Sequence, residues 1–222
     1  MEAKKQAGIK AVDYVKDGMI VGLGTGSTAY YAIEEIGNRV KQGLNIKAVA
    51  TSAGTESLAE QFHIPLLEID DIDHIDLTID GVDEIDPQFN VIKGGGGALL
   101  REKITASFSD EVIWIMDASK QVPSLGSFPL PVEVLPFGCS HVLRRLSDLR
   151  PFLRMDGDFP FVTDNGNYII DLNLSAPLPI TEISRRLSHM PGILETGLFL
   201  NMCNRIVVGT ADGVKTIENN TR

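Results

Sequence analysis

The segment Met19–Gly37, MIVGLGTGSTAYYAIEEIG, decides the fold class. Met19 to Gly22 is a short apolar run that reads as a strand. Gly24 and Gly26 break it, and Ala29, Ala32, Ile33 and Ile36 then recur at helical spacing. Strand, glycine turn and helix in that order make an anion cradle, because freed backbone amides and the helix N-terminus face the same point. Ser27 and Thr28 add hydroxyl donors, and Ser27 is the expected helix cap. A Walker A loop would need a Gly-Lys-Ser/Thr ending, which is absent. A dinucleotide fingerprint can be forced from Gly24, Gly26 and Ala29, but it wants an acid at the end of the next strand. That strand, Ile46–Ala50, ends in Thr51-Ser52. A monophosphate fits the turn better than a nicotinamide dinucleotide.

The same alternation extends outward. Residues 3–16 fit an amphipathic helix stopped by Gly18. Thr51 to Thr55 form a second hydroxyl-rich loop, leading into a helix around Glu56–Phe62. Pro65–Ile69 and Ile75–Ile79 read as strands, the latter delivering Asp80 at its end. Leu100, Ile104 and Phe108 form a helical apolar stripe, and Val112–Met116 a buried strand ending in Asp117-Ala118-Ser119-Lys120. Repeated strand-helix units predict a mostly parallel sheet with helices on both faces, a doubly wound Rossmann-like domain. Ligands of such sheets bind at the carboxyl ends of the strands.

From Pro129 the texture changes. PVEVLP, Cys139–Leu149, Arg150–Met155, Tyr168–Leu174, Ile180–Met190 and Ile193–Phe199 read as strand, helix, strand, strand, helix, strand. That is the ferredoxin-like α+β order. Arg205–Gly209 and Gly213–Ile217 are strands expected to rejoin the first sheet. The expected domains are therefore 1–128 with 201–222, and 129–200.

The 222 residues carry a net charge of −10, which argues against a nucleic-acid partner, since phosphate backbones need a basic face. No apolar run approaches the roughly 20 residues of a membrane helix, and the N-terminus has no signal core. Cys139 and Cys203 form no CxxC motif and read as reduced thiols of a cytoplasmic protein. His63, His74, His141 and His189 are scattered without metal-ligand spacing.

Chemistry concentrates in residues 80–103, DGVDEIDPQFNVIKGGGGALLREK. An acid cluster (Asp80, Asp83, Glu84, Asp86) precedes Lys93, the run Gly94–Gly97 and a helix carrying Glu102. Carboxylates, an ammonium and bare amides suit proton transfer beside a developing oxyanion. A turn-rich loop of solvated charges would look similar. Glu102 lies off the apolar stripe, as do Arg101 and Lys103, so periodicity does not say which of them faces a ligand. The cluster lacks the calcium-loop pattern.

Four patches, GLGTGST at 22–28, DGVDEID at 80–86, KGGGGALLREK at 93–103 and DASK at 117–120, together resemble the ribose-5-phosphate isomerase type A family. FPLPVEVLP, VTDNGNYIIDL and GTADGVKTI look like the same family's later stretches, so the resemblance spans the chain. Val82 stands where the family usually has Ala. The resemblance implies interconversion of ribose 5-phosphate and ribulose 5-phosphate with no metal or organic cofactor. The apolar second domain predicts self-association, as a homodimer or homotetramer. The resemblance also implies Glu102 as the proton-transferring base, with Lys93, Asp80 and Asp83 also catalytic, and Asp80 and Asp83 left as alternatives for ring opening. It implies substrate contacts from Thr25, Gly26, Ser27, Thr28, Asp80, Gly81, Val82, Asp83, Lys93, Gly94, Gly95, Gly96 and Lys120. Lys4 or Lys5 could join them if the first helix packs nearby. The rival class is a sugar-phosphate sensor that keeps such a pocket but does no chemistry.

Overall fold

A computed structural model describes residues 1–220. The last two residues of the expected first domain therefore lie outside the described residues. The chain forms two compact units. The first takes residues 1–82, 101–120 and from Asn201 on, and the second takes 83–100 and 121–200.

The first unit holds a six-stranded sheet in the order Gly213–Glu218, Arg205–Thr210, Ser109–Asp117, Ile75–Gly81, Ile20–Leu23, Lys47–Ala50. All neighbours are parallel except the first pair, an antiparallel hairpin. The period-2 alternation of strands sorts side chains to the two faces. Val21, Leu23, Leu77, Ile79, Ile113, Ile115 and Val207 share one core with Ala7 and Ala11 of helix Glu2–Ala11, Ile33 and Ile36 of helix Ala29–Lys41, and Ala59 of helix Ala53–Gln61. Gly22 and Thr78 point the other way. A Cβ on Gly22 would lie 2.7 Å from Thr105 Cγ2, so helix Leu99–Ser107 packs on that opposite face.

Three expectations are corrected here. Pro65–Ile69 forms no strand, only one bridge from Leu66 to Ala48 before a short 3-10 turn at Ile69–Asp71. The first and fifth helices are shorter than read, Glu2–Ala11 and Cys139–Arg145, each followed by a 3-10 turn. The stripe Leu100, Ile104, Phe108 is not the buried face of its helix: Ile104 and Phe108 are 39% and 48% exposed. The buried face is Leu99, Glu102, Thr105 and Ala106. Two polar residues occupy the inward side, which a hydrophobic-periodicity reading cannot detect.

The second unit contains a four-stranded antiparallel sheet ordered Ile193–Thr196, Leu130–Val134, Tyr168–Leu172, Pro151–Leu153. Helices Cys139–Arg145 and Ile180–Ser188 contribute Cys139, Val142, Ile183 and Leu187 to its core, with Val132, Val134, Ile170 and Leu172 of the sheet. The expected strand Ile193–Phe199 breaks at Gly197. Its second half, Leu198–Phe199, joins Val91–Ile92 and Glu84–Ile85 in a separate three-stranded sheet. A Cβ on Gly197 would fall 2.3 Å from the Lys93 carbonyl oxygen, so the break depends on glycine. That small sheet groups residues 83–100 with the second unit. Residues 121–128 follow, because Glu84 accepts the amides of Gly126 (2.9 Å) and Phe128 (2.6 Å).

Candidate active site

In the first unit the strand carboxyl ends gather the glycine turn, both hydroxyl loops and Asp80. Thr25 Oγ1 lies 2.8 Å from Thr51 Oγ1 and 2.9 Å from Ser52 Oγ. Thr55 Oγ1 donates to the Gly24 carbonyl at 2.9 Å. Ser52 caps helix Ala53–Gln61 by accepting the Thr55 amide. The Thr25 side chain thus ties the two loops together, while Gly26 and Ser27 stay exposed. The turn, Tyr30, Tyr31, Ser52, Gly54, Thr55 and Leu58 line a cavity of about 490 Å³. Ser27 is not the cap of helix Ala29–Lys41. Thr28, 8% exposed, holds that position and makes no side-chain cap bond. Ser27 Oγ instead accepts from Lys4 Nζ at 3.0 Å.

Lys4 reaches the turn because the first helix packs tightly at Gly8, where a Cβ would lie 2.9 Å from Ala32 N. Lys5 is exposed. Lys4 Nζ also lies 3.9 Å from Asp117 Oδ2. Burial works to raise the Asp117 carboxyl, but hydrogen bonds from the Ser119 hydroxyl and amide, with the charges of Lys4 and Lys120, hold it below its ordinary value. Lys120, half-buried at the end of a 3-10 turn, therefore belongs to the same end of the sheet as Ser27.

Asp80 is fully buried, and its Oδ1 accepts the amides of Thr25 (3.0 Å) and Gly81 (2.6 Å). Gly24 makes room for it: a Cβ there would sit 2.1 Å from Asp80 Oδ1 and 2.5 Å from its Cα. Gly24→Ala should therefore cost about 1–3 kcal/mol through overpacking and lower turnover as Asp80 is displaced. Chemical denaturation and steady-state rates on the same preparation check both. Val82, 8% exposed, closes the strand end.

Glu102 is 5% exposed, on the sheet-facing side of its helix. Thr105 marks its height. Thr105 Cγ2 abuts the Gly22 position beside Thr78, and Ser109 Oγ links Thr78 Oγ1 (2.7 Å) to the Thr105 carbonyl (2.7 Å). Asp80 lies two strand residues beyond Thr78, about 6.6 Å, and Glu102 three helical residues before Thr105, about 4.5 Å, in the same direction. The fold thus carries both carboxylates to the strand carboxyl ends. Arg101 and Lys103 are half-buried.

In the second unit Asp83 Oδ2 accepts the Gly95 amide at 2.8 Å. Lys93 is 2% exposed, its amide donates to the Gly197 carbonyl (2.9 Å), and its Nζ lies 5.5 Å from the Phe199 ring centroid. Gly94 (φ +99°) and Gly97 (φ +84°) need the left-handed region, and Gly95 and Gly96 are exposed. The other two acids of the cluster are structural. Glu84 anchors 126–128, and Asp86 accepts the Gln88 and Asn90 amides, each at 2.9 Å. Sequence reading missed Arg154, whose guanidinium binds the Gly94 and Gly95 carbonyls. No local signal marks it, because the contact spans about 60 residues of chain.

His74, read as a non-ligand, lies with Asp76 and Asp110 so that one ligand-type atom of each falls within 4.8 Å of the others. These residues sit at the amino ends of the strands, opposite Asp80, and Asp76 Oδ2 already accepts the Ile20 amide. Among the described residues no helix is long and apolar enough to cross a membrane.

Fold and side chains together define an α/β protein with a glycine turn and buried carboxylates at the carboxyl ends of its parallel strands. Residues 47–213 match the family model for ribose 5-phosphate isomerase A (phosphoriboisomerase A). The chain is 53% identical over 218 residues to ribose-5-phosphate isomerase A of Limosilactobacillus reuteri, covering 96% of each chain. It is 51% identical over 220 residues to that of Streptococcus gordonii, covering 98% of each. Among solved structures it resembles ribose 5-phosphate isomerase from Plasmodium falciparum (TM-score 0.93, 39% identity, 99% of each chain). It also resembles a D-ribose-5-phosphate isomerase in complex with phospho-erythronic acid (TM-score 0.94, 38% identity, 98% of each chain). This chain belongs to the ribose 5-phosphate isomerase A family.

Proposed function

We propose that this chain interconverts D-ribose 5-phosphate and D-ribulose 5-phosphate as an aldose–ketose isomerase working without metal or organic cofactor. The observation that carries the reading is Glu102, a carboxylate buried on the sheet-facing side of its helix, at the strand ends where a sheet of this kind takes its ligand.

The aldose and ketose differ by one proton moved between C1 and C2 and one moved between their oxygens. In this reading the Glu102 carboxylate takes the proton from C2, leaving an enediolate, and returns it to C1. The negative charge that grows on the oxygens needs donors already in place. Lys93 and the amides of Gly94 and Gly96 take that role; the Gly95 amide, expected from the sequence to join them, is held by the Asp83 carboxylate. The substrate enters mostly ring-closed, so a carboxylate must first move the ring proton; Asp80 and Asp83 are the candidates. The phosphate dianion belongs at Thr25, Gly26, Ser27 and Thr28, where a 13-residue helix begins, with Lys4 and Lys120 adding charge. Gly81 and Val82 continue the wall from Asp80. A phosphorylated sugar acid on a relative supports the reading, because a carboxylate shares the planarity and charge of an enediolate.

The finer architecture belongs to the same reading. We take the first unit as doubly wound and Rossmann-like, supported by helices packed on both sheet faces. We take the second as a ferredoxin-like α+β domain, supported by its antiparallel strand order. We propose the domain division 1–128 with 201–222, and 129–200, supported by the change from the mostly parallel six-stranded sheet to the four-stranded antiparallel one after residue 128, although the compact units group 83–100 and 121–128 with the second. Exposed Phe137, Phe152 and Phe159 support a homodimer or homotetramer, and the two buried thiols suit the cytoplasm.

An absorbance assay with pure protein and ribose 5-phosphate tests the proposal. Ribulose 5-phosphate should form with no added cofactor, and EDTA should leave the rate unchanged. Activity abolished by EDTA and restored by Mg²⁺ would overturn the cofactor-free mechanism. No ketose at all would overturn the function.

A further inference from the structure

We infer that Arg154, fixed by Asp171, is a positioning residue that orients the glycine ribbon so that the Gly95 amide holds Asp83 and the Gly96 amide faces the charge developing during isomerisation. The inference rests on the isomerase reading above and concerns residues of the second unit only.

Four consecutive glycines form the least ordered backbone a chain can present, so a donor array built from them needs an external anchor. Arg154 supplies one. Its backbone is pinned on both sides, the amide donating to the Ile169 carbonyl (2.8 Å) and the carbonyl accepting the Phe161 amide (2.9 Å). Its guanidinium faces a second acid-base frame: Nε and Nη2 donate to the two oxygens of Asp171 at 2.8 and 2.6 Å. The fork is rigid and planar, so this bidentate grip fixes where the remaining nitrogen points. That nitrogen, Nη1, donates to the carbonyls of Gly94 (3.0 Å) and Gly95 (3.1 Å).

In a trans peptide the C=O and the following N–H point in opposite directions. Drawing two successive carbonyls toward Arg154 therefore turns the Gly95 and Gly96 N–H groups away from it. The Gly95 N–H meets Asp83 at 2.8 Å, linking the ribbon to a proposed catalytic carboxylate. The Gly96 N–H has no partner among the described residues and its residue is exposed, as a donor awaiting an oxyanion should be. The far end of the ribbon is stopped by Phe161, whose ring lies 2.5 Å from where a Gly97 Cβ would be and 5.8 Å from the Arg154 guanidinium. A side chain at 95 would crowd the Asp83 carboxylate (2.9 Å) and the Phe128 ring (3.0 Å).

The test uses the full chain. Arg154→Lys keeps a charge beside Asp171, but one ammonium cannot grip both carboxylate oxygens and reach two carbonyls. Misplacing donors by about 1 Å can cost about a hundredfold in rate, so kcat should fall at least about tenfold while KM for ribose 5-phosphate stays within about threefold. Arg154→Gln with Asp171→Asn, a pair without a lone buried charge, should behave alike if the lysine variant folds poorly. In either variant, amide hydrogen exchange at Gly95 should accelerate while strand Leu130–Val134 stays protected. A folded variant with kcat within about threefold of the parent, or unchanged Gly95 exchange, overturns the inference. If the parent chain makes no ribulose 5-phosphate, the isomerase reading fails by itself, and Gly95 exchange still decides whether Arg154 holds the ribbon.

Discussion

Glu102→Gln is expected to remain folded, to keep most of its affinity for ribose 5-phosphate and to lose nearly all turnover. The exchange replaces one carboxylate oxygen by an amide nitrogen of almost the same size, so packing on the buried face with Leu99, Thr105 and Ala106 is retained. It removes the only property the reaction needs there, the ability to take a proton from carbon. General-base contributions are typically about 10²–10⁴-fold, and kcat should fall by that much with KM within a few-fold. For a chain this long a 1 kcal/mol change moves Tm by about 2–4 °C, so a melting point within about 4 °C of the parent separates lost chemistry from lost fold. The parent should also exchange the substrate's C2 proton with deuterium from D2O, and the variant should not. Near-parental turnover would remove Glu102 from the mechanism.

The second large effect is expected at Lys93. Lys93→Met keeps the aliphatic stem in its buried place beside Phe199 and removes the ammonium. Loss of one donor from an oxyanion site typically costs about 3–4 kcal/mol of barrier, roughly a hundred- to a thousand-fold in kcat. The effect should appear in kcat more than in KM, because the donor matters most when charge has developed. An inhibitor that carries a carboxylate in place of the enediolate should lose affinity by a similar factor, since it presents the charge permanently. Equal losses for ribose 5-phosphate and for such an inhibitor would mean that Lys93 serves ground-state binding instead.

Much of this architecture is readable in order along the chain. The anion turn at 22–28 is local: a strand, two glycines and a helix start need no distant partner to form a cradle. The strand-helix alternation around it, and the strand order of residues 129–200, follow from period and turn chemistry in the same way. Reading failed where a distant residue decided the outcome. Pro65–Ile69 has the apolar content of a strand but pairs only once, through Leu66. Ile193–Phe199 reads as one strand, yet Gly197 lets it part at the Lys93 carbonyl and change sheets.

The α/β class, the glycine turn, the concentration of reactive groups in residues 80–103 and, through the four patches, the family are legible in the residues alone. These features rest on neighbours within a turn or two, whose geometry the peptide bond and side-chain sterics fix. Which of Arg101, Glu102 and Lys103 turns inward is set by long-range packing: Thr105 seats against Gly22 and Thr78, and Glu102, one turn earlier, shares its buried helix face. Tertiary structure also divided the acid cluster into Asp80 and Asp83 at the glycine segments and Glu84 and Asp86 as loop anchors. It brought Arg154 to a glycine ribbon about 60 residues earlier in the chain. Such contacts are set by the closure of long loops, and a local pattern holds no record of them.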